Sequence, residues 1–192
     1  MNAECDRGLY SDWYVLFVQS GKEEFLAKRC QSLFSDDLIA RVFVPRYQTL
    51  MQMNSVWVIT EHVLFPGYLF IETRDIEKVH QELRKLPYFK RLLGKDGEKT
   101  QSILSAEKER LCRLMNVDNV IEASFGYKDG EIVEITKGAL VGREREIKRI
   151  DRHKRTATVE LELLGRSMKM KFGLELGNKA AVGDEWGWGK ER

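Results

Sequence analysis

Hydrophobic residues follow two different periods along this chain, and the two periods predict different elements. Continuous apolar runs predict buried strands at residues 13–18, 41–44, 69–72 and 88–93. Apolar positions that recur every three or four residues predict amphipathic helices at 22–34, 75–86 and 105–115. Residues 47–63 predict a β-hairpin around Asn54-Ser55, and Asp75 and Ser105 are the expected helix caps. This order predicts an α+β domain with helices flanking a largely antiparallel sheet.

The pattern changes after residue 116. Residues 117–127 contain Asp, Asn, Ser and Gly without a clear period, so we interpret them as a linker. Beyond them, strict alternation predicts short strands at 131–135, 157–163 and 167–172. Several short strands within so few residues predict a small closed or nearly closed β-barrel. The expected divisions are a first domain at 12–116, a linker at 117–127, a barrel at 128–178 and a poorly ordered tail at 179–192.

Charge is distributed unevenly between these parts. Residues 137–171 contain eleven Lys/Arg against five Asp/Glu, an excess of six, so the rest of a chain of net charge +2 carries about −4. A strand-rich module with a positive face is a candidate surface for a phosphate backbone. The alternative is a solvated charged face on an ordinary barrel, and charge alone leaves both open.

Composition argues against several other classes of protein. No apolar run approaches the roughly 20 residues that span a bilayer, and the first twelve residues lack the apolar stretch of a secretory signal. Three scattered cysteines show neither zinc-finger spacing nor a disulfide framework, which favours a reducing, cytoplasmic compartment. No metal-ligand cluster, phosphate-binding glycine loop or Ser/His/Asp arrangement stands out, so we expect no enzyme, metal or cofactor.

Two ordered groups of motifs resemble the NusG family of transcription elongation factors. The resemblance to the amino-terminal domain of that family rests on residues 13–15, 20–23, 44–45 and 65–70. The resemblance to its KOW domain rests on residues 130–142, 150–166 and 172–176. Each motif alone is weak, but their order and spacing agree over roughly residues 12–177. The resemblance implies an NGN-like domain followed by an SH3-like KOW barrel.

Within the family, the chain looks more like the specialised paralogues RfaH and especially LoaP than like housekeeping NusG. The pointers are the strand at 13–17, the run at 64–70 and the unusually basic KOW segment. Residues 137–141 replace the acidic-aromatic turn that housekeeping NusG uses to contact other factors. Strict alternation at 157–163 and 168–172 favours a constitutive barrel over the helical alternative of RfaH.

The resemblance implies binding to the clamp helices of bacterial RNA polymerase through an apolar depression. The matching positions are Phe17, Phe65, Tyr68 and Phe70. Aromatic residues suit such an interface because they offer large apolar area at little rotamer cost. We expect Phe65 and Tyr68, which flank a Pro-Gly break, to be exposed, whereas Phe17 and Phe70 fit either core or surface.

The basic segment and the LoaP-like resemblance together suggest binding of a nascent leader RNA hairpin. We expect a strand-turn-strand with its turn at 151–155, and the candidate RNA-binding residues are Arg143, Arg145, Lys148, Arg149, Arg152, His153, Lys154, Arg155, Lys169 and Lys171. The protein would then be a processive antiterminator that acts as a monomer, with other Nus-type factors as further partners and no membrane contact. The alternative is a housekeeping elongation factor whose KOW domain contacts the ribosome or a termination factor.

Overall fold

The computed structural model describes residues 12–94 and 101–178. The first part contains β1 (Asp12–Val18), α1 (Glu23–Leu33), β2 (Ile39–Phe43), β3 (Arg46–Met53), β4 (Val56–Val63), β5 (Tyr68–Thr73), α2 (Ile76–Leu83), β6 (Phe89–Leu93) and α3 (Ser105–Leu114). The second contains β7 (Val120–Ile121), β8 (Ser124–Asp129), β9 (Ile132–Lys137), a 3-10 turn (Glu144–Glu146), β10 (Ile147–Asp151), β11 (Thr156–Leu163) and β12 (Arg166–Asn178). The predicted α+β class is confirmed.

A four-stranded sheet in the order β2-β5-β1-β6 forms the centre of the first part, and its pairings are antiparallel. Strand β1 is buried on both faces, as its continuous apolar run predicts. Leu16 and Val18 belong to a core cluster with Leu26 of α1. Trp13 and Val15 belong to a second cluster on the other face. The sheet is therefore covered on both sides.

The hairpin of β3 and β4 forms a separate three-stranded sheet with β7, in the order β4-β3-β7. Met53 pairs with Val56 across the predicted turn, and both turn residues, Asn54 and Ser55, have positive φ, which is typical of a type I′ hairpin. Strand β7 pairs in parallel with β3 at Tyr47. The hairpin prediction is confirmed.

Residues 117–127, interpreted from sequence as a linker because they show no clear period, contain β7 and the beginning of β8. Val120, Ile121 and Phe125 in this segment are buried and belong to two sheets. Each strand contributes too few residues to this segment to show a period. The division into domains at this segment stays a prediction.

Strands β8 to β12 form a curled five-stranded sheet in the order β10-β11-β12-β8-β9, consistent with a small barrel-like KOW domain. Strand β12 makes this curvature possible, since its first half pairs antiparallel with β11 and its second half, from Leu174, pairs in parallel with β8. Val159, Leu161 and Phe172 fill the interior. The predicted alternating strands are confirmed.

The two parts share one hydrophobic cluster, which extends from Trp13 and Phe70 in the first part to Val159 and Phe172 in the second. The ring centroids of Tyr47 and Phe172 lie 5.8 Å apart across the contact. The sequence pattern gave no signal of this contact, because each partner residue also fits the core of its own part.

The cysteines differ from the expectation. Cys30 is a free thiol on the buried face of α1, with no exposed surface, and burial raises its pKa to about 12. Cys112 takes part in a disulfide bond, so the expectation of no disulfide is wrong. The predicted tail at 179–192 lies outside the described residues. Across the described ranges, no helix is both long enough and apolar enough to cross a membrane.

Candidate nucleic-acid and polymerase interfaces

The turn between β4 and β5 positions the aromatic residues that the family resemblance assigns to polymerase binding. The Tyr68 N–H donates to the Phe65 carbonyl at 3.0 Å, and Gly67 has φ +83°, which only glycine adopts readily. The Gly67 N–H donates to the buried carboxylate of Glu23 at 2.7 Å, while its carbonyl accepts from the Val18 N–H at 2.8 Å. The turn is thus fixed to both α1 and β1.

This turn directs Phe65 inward. Phe65 is only 4% exposed and Phe70 is fully buried, whereas Phe17 and Tyr68 are partly exposed. The Phe65 ring lies 6.0 Å from Phe70 and 6.4 Å from Tyr68. The expectation that Phe65 is exposed is therefore wrong, because the anchored turn places its ring in the core. The predicted polymerase contact of the four residues stays a prediction.

Two cations lie over the ring of Phe17, and an exposed aromatic pair lies beside the segment that follows it. Lys90 Nζ lies 4.9 Å from the centroid of the Phe17 ring. Nearby, Phe25 and Tyr88 pack edge to face at 5.7 Å and remain 47% and 41% exposed. We missed this cluster in the sequence because its residues come from β1, α1 and the beginning of β6. The pairing of Phe17 with Arg91 across β1 and β6 brings these elements together.

The outer face of β10, β11 and β12 carries a group of cations. Arg149 pairs with Thr158, which pairs with Lys171, so the three side chains form a row across the strands. Lys169 pairs with the outward-facing Glu160 in the next row. Of the predicted RNA-binding residues, Lys148, Arg149, Lys169 and Lys171 are exposed on these strands. Tertiary structure thus gathers charges that lie more than 20 residues apart in the sequence.

Glu160 and the exposed Glu162 are acidic residues on the outer side of β11, and Glu160 is held in place by hydrogen bonding. The Ser167 hydroxyl donates to its carboxylate at 2.7 Å. That hydrogen bond lowers the pKa of Glu160, and the nearby charges of Lys148 and Lys169 lower it further. The carboxylate therefore stays ionised at neutral pH and offsets part of the local positive charge.

The predicted turn at the end of this face is confirmed, and it connects β10 to β11. Arg152, His153 and Lys154 are exposed there. The Lys154 N–H donates to the Asp151 carboxylate at 3.0 Å, which lowers the pKa of Asp151. The turn is therefore a defined structure that extends the cationic face beyond the sheet.

Two predicted RNA-binding arginines instead contact the first part of the chain. Arg143 donates from Nη2 to the carbonyl of Arg113 at 2.8 Å. The guanidinium carbon of Arg155 lies 4.0 Å from the centroid of the Trp57 ring. Arg145 is exposed in the 3-10 turn. The structure thus separates the predicted set into an exposed cationic face and two arginines at the contact between the parts.

The described histidines and acids form no metal site. His62 Nε2 lies 2.9 Å from Thr49 Oγ1 and 3.2 Å from Thr60 Oγ1, so its ring supports the β3–β4 pairing. Within residues 12–94 and 101–178, no group of three or more His, Cys, Asp or Glu could hold a metal ion.

Comparison with known proteins identifies the family. The family model described as transcription termination factor nusG matches residues 11–112, more than half of the chain. The chain belongs to the NusG family. The resemblance inferred from the motifs is confirmed at this level.

Several NusG proteins are similar over most of their length. The transcription termination/antitermination protein NusG of Helicobacter pylori is 25% identical over 167 residues, which cover 84% of this chain and 94% of that protein. NusG of Lactococcus lactis is 28% identical over 167 residues, covering 84% and 89%. A solved structure described as domain interaction in Thermotoga maritima NusG aligns with a TM-score of 0.48 at 19% identity, over 87% of this chain and 96% of that one.

Proposed function

We propose that this NusG-family protein is a transcription elongation factor of the processive antiterminator type. In this proposal, residues 12–116 bind RNA polymerase, 117–127 connect the parts, and 128–178 bind a structured RNA. The names of the bacterial relatives support a role in termination or antitermination. The protein acts by binding, as a cytoplasmic monomer without catalysis or cofactor.

The exposed cationic face is the observation that carries the RNA-binding half of the proposal. Arg149, Lys169 and Lys171 lie on adjacent strands of one sheet face, and Arg152 and Lys154 extend it at the turn. Neighbouring strands are about 4.8 Å apart, so the cations are close enough to contact consecutive phosphates. Exposed, strongly hydrated lysines are depleted at protein–protein interfaces, so this face fits a phosphate backbone better than a protein partner.

For the polymerase, we infer that Phe17 and Tyr68 make the direct contacts. Their ring centroids lie 6.0 Å apart and both are partly exposed. The buried Phe65 packs its ring against Tyr68 and also against the buried Phe70, and so positions Tyr68. Partly exposed aromatic residues on a rigid support are typical of interface hot spots. The clamp helices of bacterial RNA polymerase are the proposed partner.

The concentration of cations in the second part favours the LoaP-like paralogue over a housekeeping factor. A housekeeping KOW domain that contacts the ribosome, a termination factor or another Nus-type protein does not require a cationic sheet face. The two functions differ in one property of the full chain, which is direct binding of an RNA hairpin.

Transcription in vitro tests this proposal. The template encodes a leader hairpin, selected by the full-length protein from a randomised hairpin pool, followed by an intrinsic terminator. We expect the protein to increase read-through by the polymerase of its own bacterium only when the hairpin is present. The double variant Lys169→Glu/Lys171→Glu should lose this effect, while Lys85→Glu, at an exposed position just after α2, should retain it. Read-through that is unchanged by the protein, or equal without the hairpin, would overturn the proposal.

A further inference from the structure

Arg155 and Trp57 form a stacked pair where the two parts of the chain meet. The guanidinium carbon lies 4.0 Å from the centroid of the indole ring. Arg155 is also ion-paired to Glu175 at 2.5 Å, and its carbonyl accepts from the Leu174 N–H at 2.8 Å. Trp57 is only partly buried on β4. The pair is thus held from behind by β12, and part of its surface faces solvent.

The surroundings of this pair suit an anionic ligand that carries flat rings. On one side lies the exposed basic turn, Arg152 to Lys154. Trp57 itself lies near the end of the β3–β4 hairpin, where it pairs with Gln52. The hairpin belongs to a run, residues 47–60, without a single charged side chain in a chain that is 32% charged. Gln52, Asn54 and Ser55 at this end are exposed and can hydrogen-bond. No acid on the hairpin end would repel a phosphate.

Single-stranded RNA is recognised mainly by stacking of unpaired bases on aromatic rings and arginine planes, while its phosphates contact lysine and arginine. Inside a paired helix, each base face is covered by the neighbouring base pairs. The Arg155–Trp57 pair therefore suits an unpaired base, and the adjoining basic turn suits the phosphates next to it.

We propose that an unpaired loop base of the bound RNA stacks on the Arg155–Trp57 pair, so that the first part of the chain contributes a residue to RNA recognition. This inference rests on the proposed function, since it adds a loop contact to the cationic face. It goes further in assigning specificity: the face binds the phosphates of any folded RNA, whereas the pair distinguishes a hairpin with an unpaired loop from a plain duplex. The RNA then bridges both parts.

Binding of the full-length protein to two RNA probes tests the inference. One probe is a hairpin selected from a pool with a fixed stem and randomised loop, and the other is the same stem as a blunt duplex. Trp57→Ala should weaken hairpin binding by roughly tenfold, the effect typical of one lost base stack, and change duplex binding by less than about twofold. Trp57→Phe, which keeps a ring, should retain most of the hairpin affinity.

The double variant Lys169→Ala/Lys171→Ala separates the two proposals, because it should weaken binding to both probes. If it does so while Trp57→Ala leaves the ratio of hairpin to duplex affinity unchanged, the stacking inference fails and the proposed function stands. If the lysine variant changes neither affinity, the proposed function itself fails.

Cross-linking of the unaltered protein gives an answer even if Trp57→Ala does not fold. A 4-thiouridine placed in the hairpin loop should cross-link to the peptide that contains Trp57. Cross-links confined to residues 143–171 would overturn the inference.

Discussion

The carboxylate of Glu107 accepts hydrogen bonds from two backbone N–H groups that belong to different parts of the protein. One is that of Gly165, in the turn between β11 and β12, at 2.9 Å. The other is that of Leu104, at the beginning of α3, at 3.1 Å. Glu107 is only 4% exposed. A single buried side chain therefore caps a helix of the first part and holds a turn of the second.

Glu107→Ala should lower the free energy of unfolding by about 2–4 kcal/mol, since two partly buried N–H groups lose their acceptor and each loss costs roughly 1–2 kcal/mol. Glu107→Gln keeps one carbonyl acceptor and should cost about half as much. Glu109→Ala is the matched control on the same helix, where an exposed ion pair with Arg113 contributes no more than about 1 kcal/mol. Urea denaturation measures all three. Equal stability of the two alanine variants would show that Glu107 does not connect the parts.

Alanine substitutions at Gly67 and Gly21 distinguish the destabilising effect of backbone strain from that of steric crowding. The φ angles of the two glycines are +83° and +81°, so alanine at either position costs about 1–2 kcal/mol in strain. A Cβ at Gly67 would also lie 3.1 Å from Ser20 Oγ and 3.3 Å from Phe17 Cε2, whereas one at Gly21 meets nothing within 4 Å. We expect Gly67→Ala to be the more destabilising by about 1 kcal/mol, and it alone should weaken polymerase binding. Denaturation and a polymerase pull-down measure the two effects, and equal losses in both assays would contradict this description of the turn.

The buried thiol of Cys30 predicts a loss of stability at alkaline pH. Its folded-state pKa is raised to about 12, while that of an exposed thiol is about 8.5. The unfolded chain therefore ionises first, so stability is intact below about pH 8.5 and falls as the pH rises towards 12. The loss from this group between pH 9 and 10 is about 1 kcal/mol.

Cys30→Ala provides the comparison for this alkaline loss. The variant loses packing at every pH but lacks the thiol titration, so its stability should fall less steeply with pH than that of the unaltered protein. Urea midpoints at several pH values between about 7.5 and 10 give the two slopes. Parallel slopes would show that Cys30 ionises as readily in the folded protein as in the unfolded chain.

Elements with a strong local signal could be predicted from the sequence. The hairpin around Asn54 and the basic turn at 151–155 were found where expected because local turn chemistry specifies them. Asp75 caps α2 as predicted, with the Lys78 N–H donating to it at 3.1 Å. The predicted Ser105 cap is wrong, since Glu107 takes that role. Glu107 lies three residues after the N-cap Leu104, which is the capping-box position, whereas its contact with Gly165 has no local signal in the sequence.

Contacts between distant segments account for the other differences. Phe65 is buried because Glu23, far away in the sequence, anchors the turn that carries it. Arg155 is held at the junction because Trp57 lies opposite it. Phe65 matches its family motif, and Arg155 its charge pattern, equally well whether the side chain is buried or exposed. Sequence therefore predicted which residue types matter, while tertiary packing decides which of them face solvent.

Binding of the selected RNA hairpin to the full-length protein across a salt series tests the central claim most directly. We expect affinity to fall steeply between about 50 and 200 mM salt, with Lys169→Glu/Lys171→Glu reducing the slope of log affinity against log salt by about two, one for each lost phosphate contact. Lys85→Glu should leave the slope unchanged. An affinity that is indifferent to salt, or equally affected by both variants, would contradict an RNA-binding face on β10, β11 and β12.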